Sequence, residues 1–195
     1  MRREHIAELV CASGQHKLNL QVGALEEQGE IKEGLLACSE ECPPVPIRGC
    51  VPRFVPNSGY SESFGEQWNR FCRTQIDKFN GTTLSKERFY SGTGWSPAEL
   101  KGARILEAGC GAGRFTQIML DAGAHVYSVD LSSAVDACFA NHGPHENLCV
   151  VQADLYRIPF RRHSFDKVFC YGVFAAHAGS AWLLHEPGAV FEARR

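Results

Sequence analysis

Between Ala103 and Val173 the sequence alternates short apolar runs with stretches of helical character, and this alternation constrains the fold more than any other feature. "ARILEA", "HVYSVD", "NLCVVQAD" and "FDKVFCYGV" read as strands. "GRFTQIMLDAG", ending at Gly123, and "SSAVDACFANHG", capped by Ser132 or Ser133, read as helices. Strands that are nearly continuously apolar and separated by helices form a parallel sheet covered on both faces. The expected class is therefore α/β, a doubly wound parallel sheet of about four strands, incomplete by the standard of larger sheets of this kind.

The whole chain has 195 residues, 44% of them apolar, enough for one core or for a core with a small appended module. A net charge of -2, with both signs spread along the chain, gives no basic stripe, so no binding of duplex nucleic acid is expected. "MRREHIAELV" does not lead into an apolar core of signal-peptide length, and no run of about 18 apolar residues occurs. The expectation is a cytoplasmic chain with no membrane partner. Five of the nine cysteines, Cys72, Cys110, Cys138, Cys149 and Cys170, lie inside apolar patterns, where cysteine acts as a small hydrophobe and not as part of a disulfide framework.

Three segments are expected. Residues 1–56 are rich in Cys, Gly, Pro and Glu, and stretches such as "HKLNLQV" and "VPIRGCVPRFV" read as short strands between turns. Residues 57–102 form a helical leader. There Ser63 and Glu66 have capping-box spacing, and Phe64, Trp68, Phe71, Cys72 and Phe79 recur at the period of one long amphipathic helix. Ser96-Pro97 starts another helix, with Gly102 as its stop. Residues 103–195 carry the sheet.

The first strand-to-helix turn reads "LEAGCGAGRF". In a parallel sheet this turn lies where ligands bind, at the carboxyl ends of the strands. A nicotinamide fingerprint has the spacing G-x-G-x-x-G. Here Gly109, Gly111 and Gly113 are spaced G-x-G-x-G, and Arg114 stands where the third glycine of that fingerprint belongs. Glu107, just before the loop, would repel a pyrophosphate and attract an ammonium or sulfonium. Asp130, at the end of the next strand, stands where an acid takes the ribose hydroxyls of an adenosine ligand, which by itself does not separate a nicotinamide dinucleotide from other adenosine cofactors. Asp130 and Asp154 can equally be read as acids at helix N-termini.

Strand, "LEAGCGAGRF" and helix together resemble the first motif of class I S-adenosylmethionine-dependent methyltransferases of the type 11 group, whose domain is Rossmann-like. "HVYSVDLS", "CVVQADLYRIPF" and "SFDKVFCYGV" extend the resemblance in order. It implies S-adenosylmethionine as cofactor and methyl transfer to an acceptor that the sequence leaves unidentified. The implied cofactor-binding residues are Glu107, Gly109, Cys110, Gly111, Gly113, Asp130, Leu131, Asp154, Leu155 and Tyr171. Within that set Asp130 would bind the ribose, Asp154 the adenine amino group and Leu155 the ring. Tyr60, Phe64, Trp68 and Trp95 would form a lid, although helical spacing equally fits Phe64 and Trp68 as core.

Cys38-Ser-Glu-Glu-Cys42 followed by "PPVPIRGCVPRFV" resembles the second half of a zinc-ribbon module found before the catalytic domain in the same group. The first half is degenerate, since Cys11 is followed by Gly14 where a partner cysteine belongs. Cys11, Cys38 and Cys42 leave one place of a tetrahedral zinc site open, and His16 lies near enough in sequence to fill it. Cys50 is expected to pack on a strand.

After Gly172-Val173 the resemblance is expected to stop, with no further strand in "FAAHAGSAWLLHEPGAVFEARR". The edge of the last strand is then expected to be open, as in a truncated product or one with a shifted reading frame. No catalytic base is assigned, and His177 falls in this segment. The rival readings are a non-catalytic fragment that keeps partial cofactor binding and a nicotinamide oxidoreductase.

Overall fold

The computed structural model describes residues 1–11, 16–40, 42–55, 61–172 and 190–192. The N-terminal part is strand-rich, with α1 (Arg3–Ile6), β1 (Asn19–Leu20), β2 (Leu25–Glu27), β3 (Glu30–Ala37), β4 (Val45–Arg48) and β5 (Val51–Pro52). β3 is its spine, pairing antiparallel with β1, β2 and β4. Gly49 and Cys50, both left-handed with φ 56° and 67°, join β4 to β5. Two such residues make the hairpin turn whose twist matches its strands. Cys50 therefore sits at a hairpin tip, not in strand packing as expected.

The middle of the chain holds α2 (Ser61–Arg70), α3 (Asp77–Asn80), α4 (Leu84–Thr93) and α5 (Pro97–Leu100). The one long helix expected through Phe79 stops at Arg70. Its apolar stripe does not enter a core there, for Phe71 and Phe79 are 50% and 38% exposed and are covered by the Arg70 and Arg73 guanidinium groups. Side-chain to backbone bonds compete with helix beyond it. The Asp77 carboxylate accepts from the N–H groups of Ser85 (3.1 Å) and Lys86 (2.9 Å), pinning the start of α4. The Ser63–Glu66 pair lies inside α2, which begins at Ser61, so it is not the cap. α5 follows the sequence closely, with a Ser96–Glu99 capping box and Pro97 at its first position.

The larger sheet comprises β6 (Arg104–Ala108), β7 (His125–Asp130), β8 (Leu148–Gln152), β9 (Lys167–Cys170) and β10 (Val190–Glu192), interleaved with α6 (Thr116–Asp121), α7 (Ala134–His142) and a 3-10 turn at Leu155–Arg157. Strand order is β10-β9-β6-β7-β8. β9, β6, β7 and β8 are parallel, the mixed α/β class expected. β10 is antiparallel to β9, with Val190 opposite Phe169 and Glu192 opposite Lys167. This corrects the expectation of an unpaired edge and of no strand after Val173.

Alternation along the strands sends side chains to two cores. Ile105, Val126, Leu148, Val150 and Phe169 join Phe89, Leu100, Met119 and Val135 on the helical face. Leu106, Tyr127, Val129, Cys149 and Val151 join Leu9, Ile31, Leu36, Ile47 and Phe160 on the other. The second face is thus covered by the N-terminal strand module, where the sequence suggests helices. Among the described residues no disulfide joins two cysteines. Among the described residues no helix is long and apolar enough to cross a membrane.

Arg53 locks the module to the sheet. Its guanidinium donates to Gln152 Oε1 (3.1 Å) and the Arg48 carbonyl (3.1 Å) and pairs with Asp136. Arg53→Ala strands a buried amide oxygen and a carbonyl, so a loss of about 3 kcal/mol is expected in urea denaturation of the full chain.

Candidate functional site

β6 lies between β7 and β9, so strand order reverses beside the turn that follows it. A cleft opens at such a switch point, beyond the carboxyl ends of the strands. The register brings Ala108 opposite both Val129 and Cys170, and Asp130 opposite Gln152. The Glu107–Gly113 turn, Asp130 with Leu131, Asp154 and Tyr171 therefore share one edge of the sheet.

Gly109, Gly111 and Gly113 are all left-handed, with φ 77°, 52° and 88°. Side chains other than glycine adopt such angles at a cost. These angles also delay the helix, which starts at Thr116 and not directly after Gly113 as the sequence suggests. Gly109 and Cys110 donate their N–H groups to the Val129 carbonyl (2.7 and 3.1 Å), and Gly111 donates to Asp130 Oδ2 (2.9 Å). Asp130 Oδ1 accepts from the Ser132 N–H (2.9 Å) and hydroxyl (2.7 Å). Ser132, not Ser133, makes the polar contact at the start of α7, accepting from the Ala134 N–H at 3.3 Å.

Glu107 is 2% exposed beneath the loop. Its Oε2 accepts from the hydroxyls of Thr116 and Ser128, both at 2.6 Å. Among the described residues no donor is directed at Oε1. Burial pushes the carboxyl up to about 7, against the two hydroxyl bonds and with the help of the Asp130 charge. Cys110 is no nucleophile, because its contact with the Cys138 thiol and its burial raise it well above the ordinary thiol value.

Asp154 accepts the Tyr156 N–H at 2.9 Å and so caps the 3-10 turn. Leu155 leans, partly buried, on the core under the sheet, whereas Leu131 is 45% exposed at the site edge. Tyr171 packs edge-on to Phe115 at 5.0 Å and lies parallel to Phe169. Trp95, expected in a lid, is core: it is 6% exposed and meets Phe89 edge-on at 5.9 Å. Trp68 does cover the loop, its indole 3.8 Å from where a Cβ on Gly111 would stand. α2 also reaches α7, with Asn69 donating to the Ser133 carbonyl at 3.1 Å. Tyr60, His177 and the Phe64 side chain lie outside the described residues.

Thr116, Ser128 and His142 escape the sequence reading. Ser128 has a signal, being a lone hydroxyl in the apolar run "HVYSVD" directly opposite Glu107. His142 Nε2 lies 2.8 Å from the Gly113 carbonyl, and burial lowers its ring to about 4. In the N-terminal module Cys11, Cys38 and Cys42 come together with His16, their ligand atoms all within 4.8 Å of one another.

Residues 106–186 match a family model described as a methyltransferase domain. The likeness covers this stretch of the chain. The match runs past Val173, where the resemblance was expected to stop. The chain is similar over part of its length to several solved structures. One is an S-adenosylmethionine-dependent methyltransferase from Mesorhizobium loti, at 28% identity over 43% of this chain and 38% of that one, with a TM-score of 0.38. Another is a putative S-adenosyl-L-methionine-dependent methyltransferase from Methanococcus maripaludis, at 14% identity over 61% and 54%, with a TM-score of 0.45. A third is the magnesium protoporphyrin IX methyltransferase of Synechocystis with bound S-adenosylhomocysteine, at 22% identity over 58% and 55%, with a TM-score of 0.41. The chain thus spans between 38% and 55% of these three proteins. No curated protein matches it.

Proposed function

We propose that the chain binds S-adenosylmethionine at the carboxyl edge of β6, β7 and β8 and transfers its methyl group to an acceptor. The reading assigns residues 103–195 to the cofactor domain, 57–102 to a helical leader and 1–56 to a zinc-ribbon-like module.

One observation carries it: three carboxyl groups, Glu107, Asp130 and Asp154, stand on the edge that holds the glycine turn, and Asp130 already takes the Gly111 N–H. A pyrophosphate site presents free N–H groups and avoids carboxylates. A ligand with an ammonium, vicinal hydroxyls and an amino group suits this donor set instead.

Gly109, Cys110, Gly111 and Gly113 let the backbone approach the amino-acid end of the ligand, with Glu107 beneath to neutralise an ammonium. Asp130 accepts from ribose hydroxyls, Leu131 offers its exposed side chain to the base, and Asp154 accepts from the adenine amino group. Leu155 and Tyr171 border the same cleft. When bound, the cofactor would supply an activated methyl group for transfer to the acceptor. The chain's own part is alignment and exclusion of water, to which Trp68 over the loop contributes.

Calorimetry on the full chain tests this. S-adenosylmethionine and S-adenosylhomocysteine are expected to bind with one site each, and Asp130→Ala to weaken both by roughly tenfold to a hundredfold, as loss of hydrogen bonds to a charged group does. NAD is expected to give no heat. Binding of NAD in place of S-adenosylmethionine overturns the reading, and binding with no methyl release against any acceptor class identifies a non-catalytic cofactor-binding chain.

A further inference from the structure

We infer that Cys11, His16, Cys38 and Cys42 form a closed tetrahedral zinc site in which His16 Nδ1 is the fourth ligand, replacing the cysteine that the degenerate first half lacks. The inference does not rest on the cofactor reading.

The distances fit a metal better than they fit packing. With Zn–S of about 2.3 Å and Zn–N of about 2.0 Å, a tetrahedron has S···S edges of about 3.8 Å and S···N edges of about 3.6 Å. Cys11 Sγ and Cys42 Sγ are 3.7 Å apart. His16 Nδ1 stands 3.3 Å from Cys11 Sγ and 4.0 Å from Cys42 Sγ. The two sulfurs are far beyond the roughly 2 Å of a disulfide bond. Three thiols and an imidazole converging from two separate loops is a soft, four-donor set, which selects zinc among abundant divalent ions.

At Cys11 the surroundings already suit a thiolate, whereas the Cys38 thiol donates to the Glu40 carbonyl at 3.2 Å and must turn from it on binding a metal. The His16 N–H points at Cys11 Sγ (3.3 Å), a bond that strengthens when the sulfur carries charge. Cys11 in turn donates its N–H to the His16 carbonyl at 2.9 Å, holding the two ligands side by side. Cys38 follows the end of β3 and Cys42 precedes β4, so one ion staples the 11–16 loop to the β3–β4 connection. Four protein ligands leave no open position, which makes the site structural. Binding sends the three thiol protons to solvent and leaves the ion's oxidation state unchanged.

The test is titration of the metal-stripped, reduced full chain with Co2+ and then Zn2+. One equivalent of cobalt is expected to give the visible bands of a tetrahedral ion and thiolate charge-transfer absorption, both abolished by zinc. His16→Ala is expected to weaken zinc binding by roughly a hundredfold or more and to collapse the tetrahedral bands. His16→Cys is expected to restore tight binding and raise the charge-transfer intensity from three thiolates toward four. Absence of tetrahedral bands in the unsubstituted chain overturns the site. Bands unchanged in His16→Ala overturn the role of His16, as does failure of His16→Cys to bind.

Discussion

Glu107→Gln is expected to stabilise the protein at pH 8 and to weaken cofactor binding at the same time. The carboxyl titrates near 7 in the folded chain against an ordinary value of 4.5. Between those values the unfolded chain has lost the proton that the folded chain keeps, so stability falls as pH rises from 4.5 to 7 and then levels off. A difference of this size corresponds to about 3 kcal/mol, since each pH unit is worth about 1.4 kcal/mol. Glutamine keeps an oxygen for the Thr116 and Ser128 hydroxyls and carries no charge, so the variant should lack this pH dependence. Urea midpoints at pH 5 and pH 8 measure it, the variant gaining on the unsubstituted chain only at the higher pH. Equal gains at both would show that Glu107 does not titrate in this window. In the unsubstituted chain, affinity for a ligand bearing an ammonium should rise as pH passes upward through 7, because the carboxylate form is the partner. The glutamine variant should bind such a ligand roughly tenfold more weakly or worse, with a flat pH profile.

Gly113→Ala is expected to cost about 3 kcal/mol or more, and Gly111→Ala only about 1 kcal/mol, although both glycines are left-handed. A Cβ on Gly113 would stand 2.5 Å from His142 Cδ2, 2.6 Å from Nε2 and 3.1 Å from Cys138 Sγ. The ring cannot simply swing aside, being held to the Gly113 carbonyl at 2.8 Å. At Gly111 the nearest atom is in Trp68 at 3.8 Å, ordinary contact, so backbone strain is the whole cost. Urea midpoints of the two variants separate these contributions. Equal losses would mean that His142 moves freely and that the contact is no constraint.

The parallel sheet is legible because its strands are apolar on both faces, a pattern few other structures produce. The glycine turn is legible because spacing alone separates it from the nicotinamide pattern. Three things are hidden for physical reasons. β3 reads "EIKEGLLA", with three of its eight residues charged, and its role as spine depends on partners on either side of it in the chain. The break at Arg70 goes with Phe71 and Phe79 staying outside the core, which periodicity cannot report. Glu107 looks like a strand-end acid open to a ligand, whereas two hydroxyls from α6 and β7 draw it under the loop.

The contacts between the N-terminal module and the sheet also set an order of events during synthesis. Arg53 meets Gln152 across 99 positions of sequence. Leu9 bridges Phe160, and Val10 donates its N–H to the Pro159 carbonyl at 3.0 Å. A chain emerging from the ribosome at about 5–20 residues per second exposes the module for several seconds before these partners exist. Ile31, Leu36 and Ile47 face solvent during that interval, and the sheet face they later cover forms in their absence. Docking of the module is consequently a late, long-range closure step, slow by virtue of its sequence separation. A metal staple that keeps its two loops together beforehand would shorten the search.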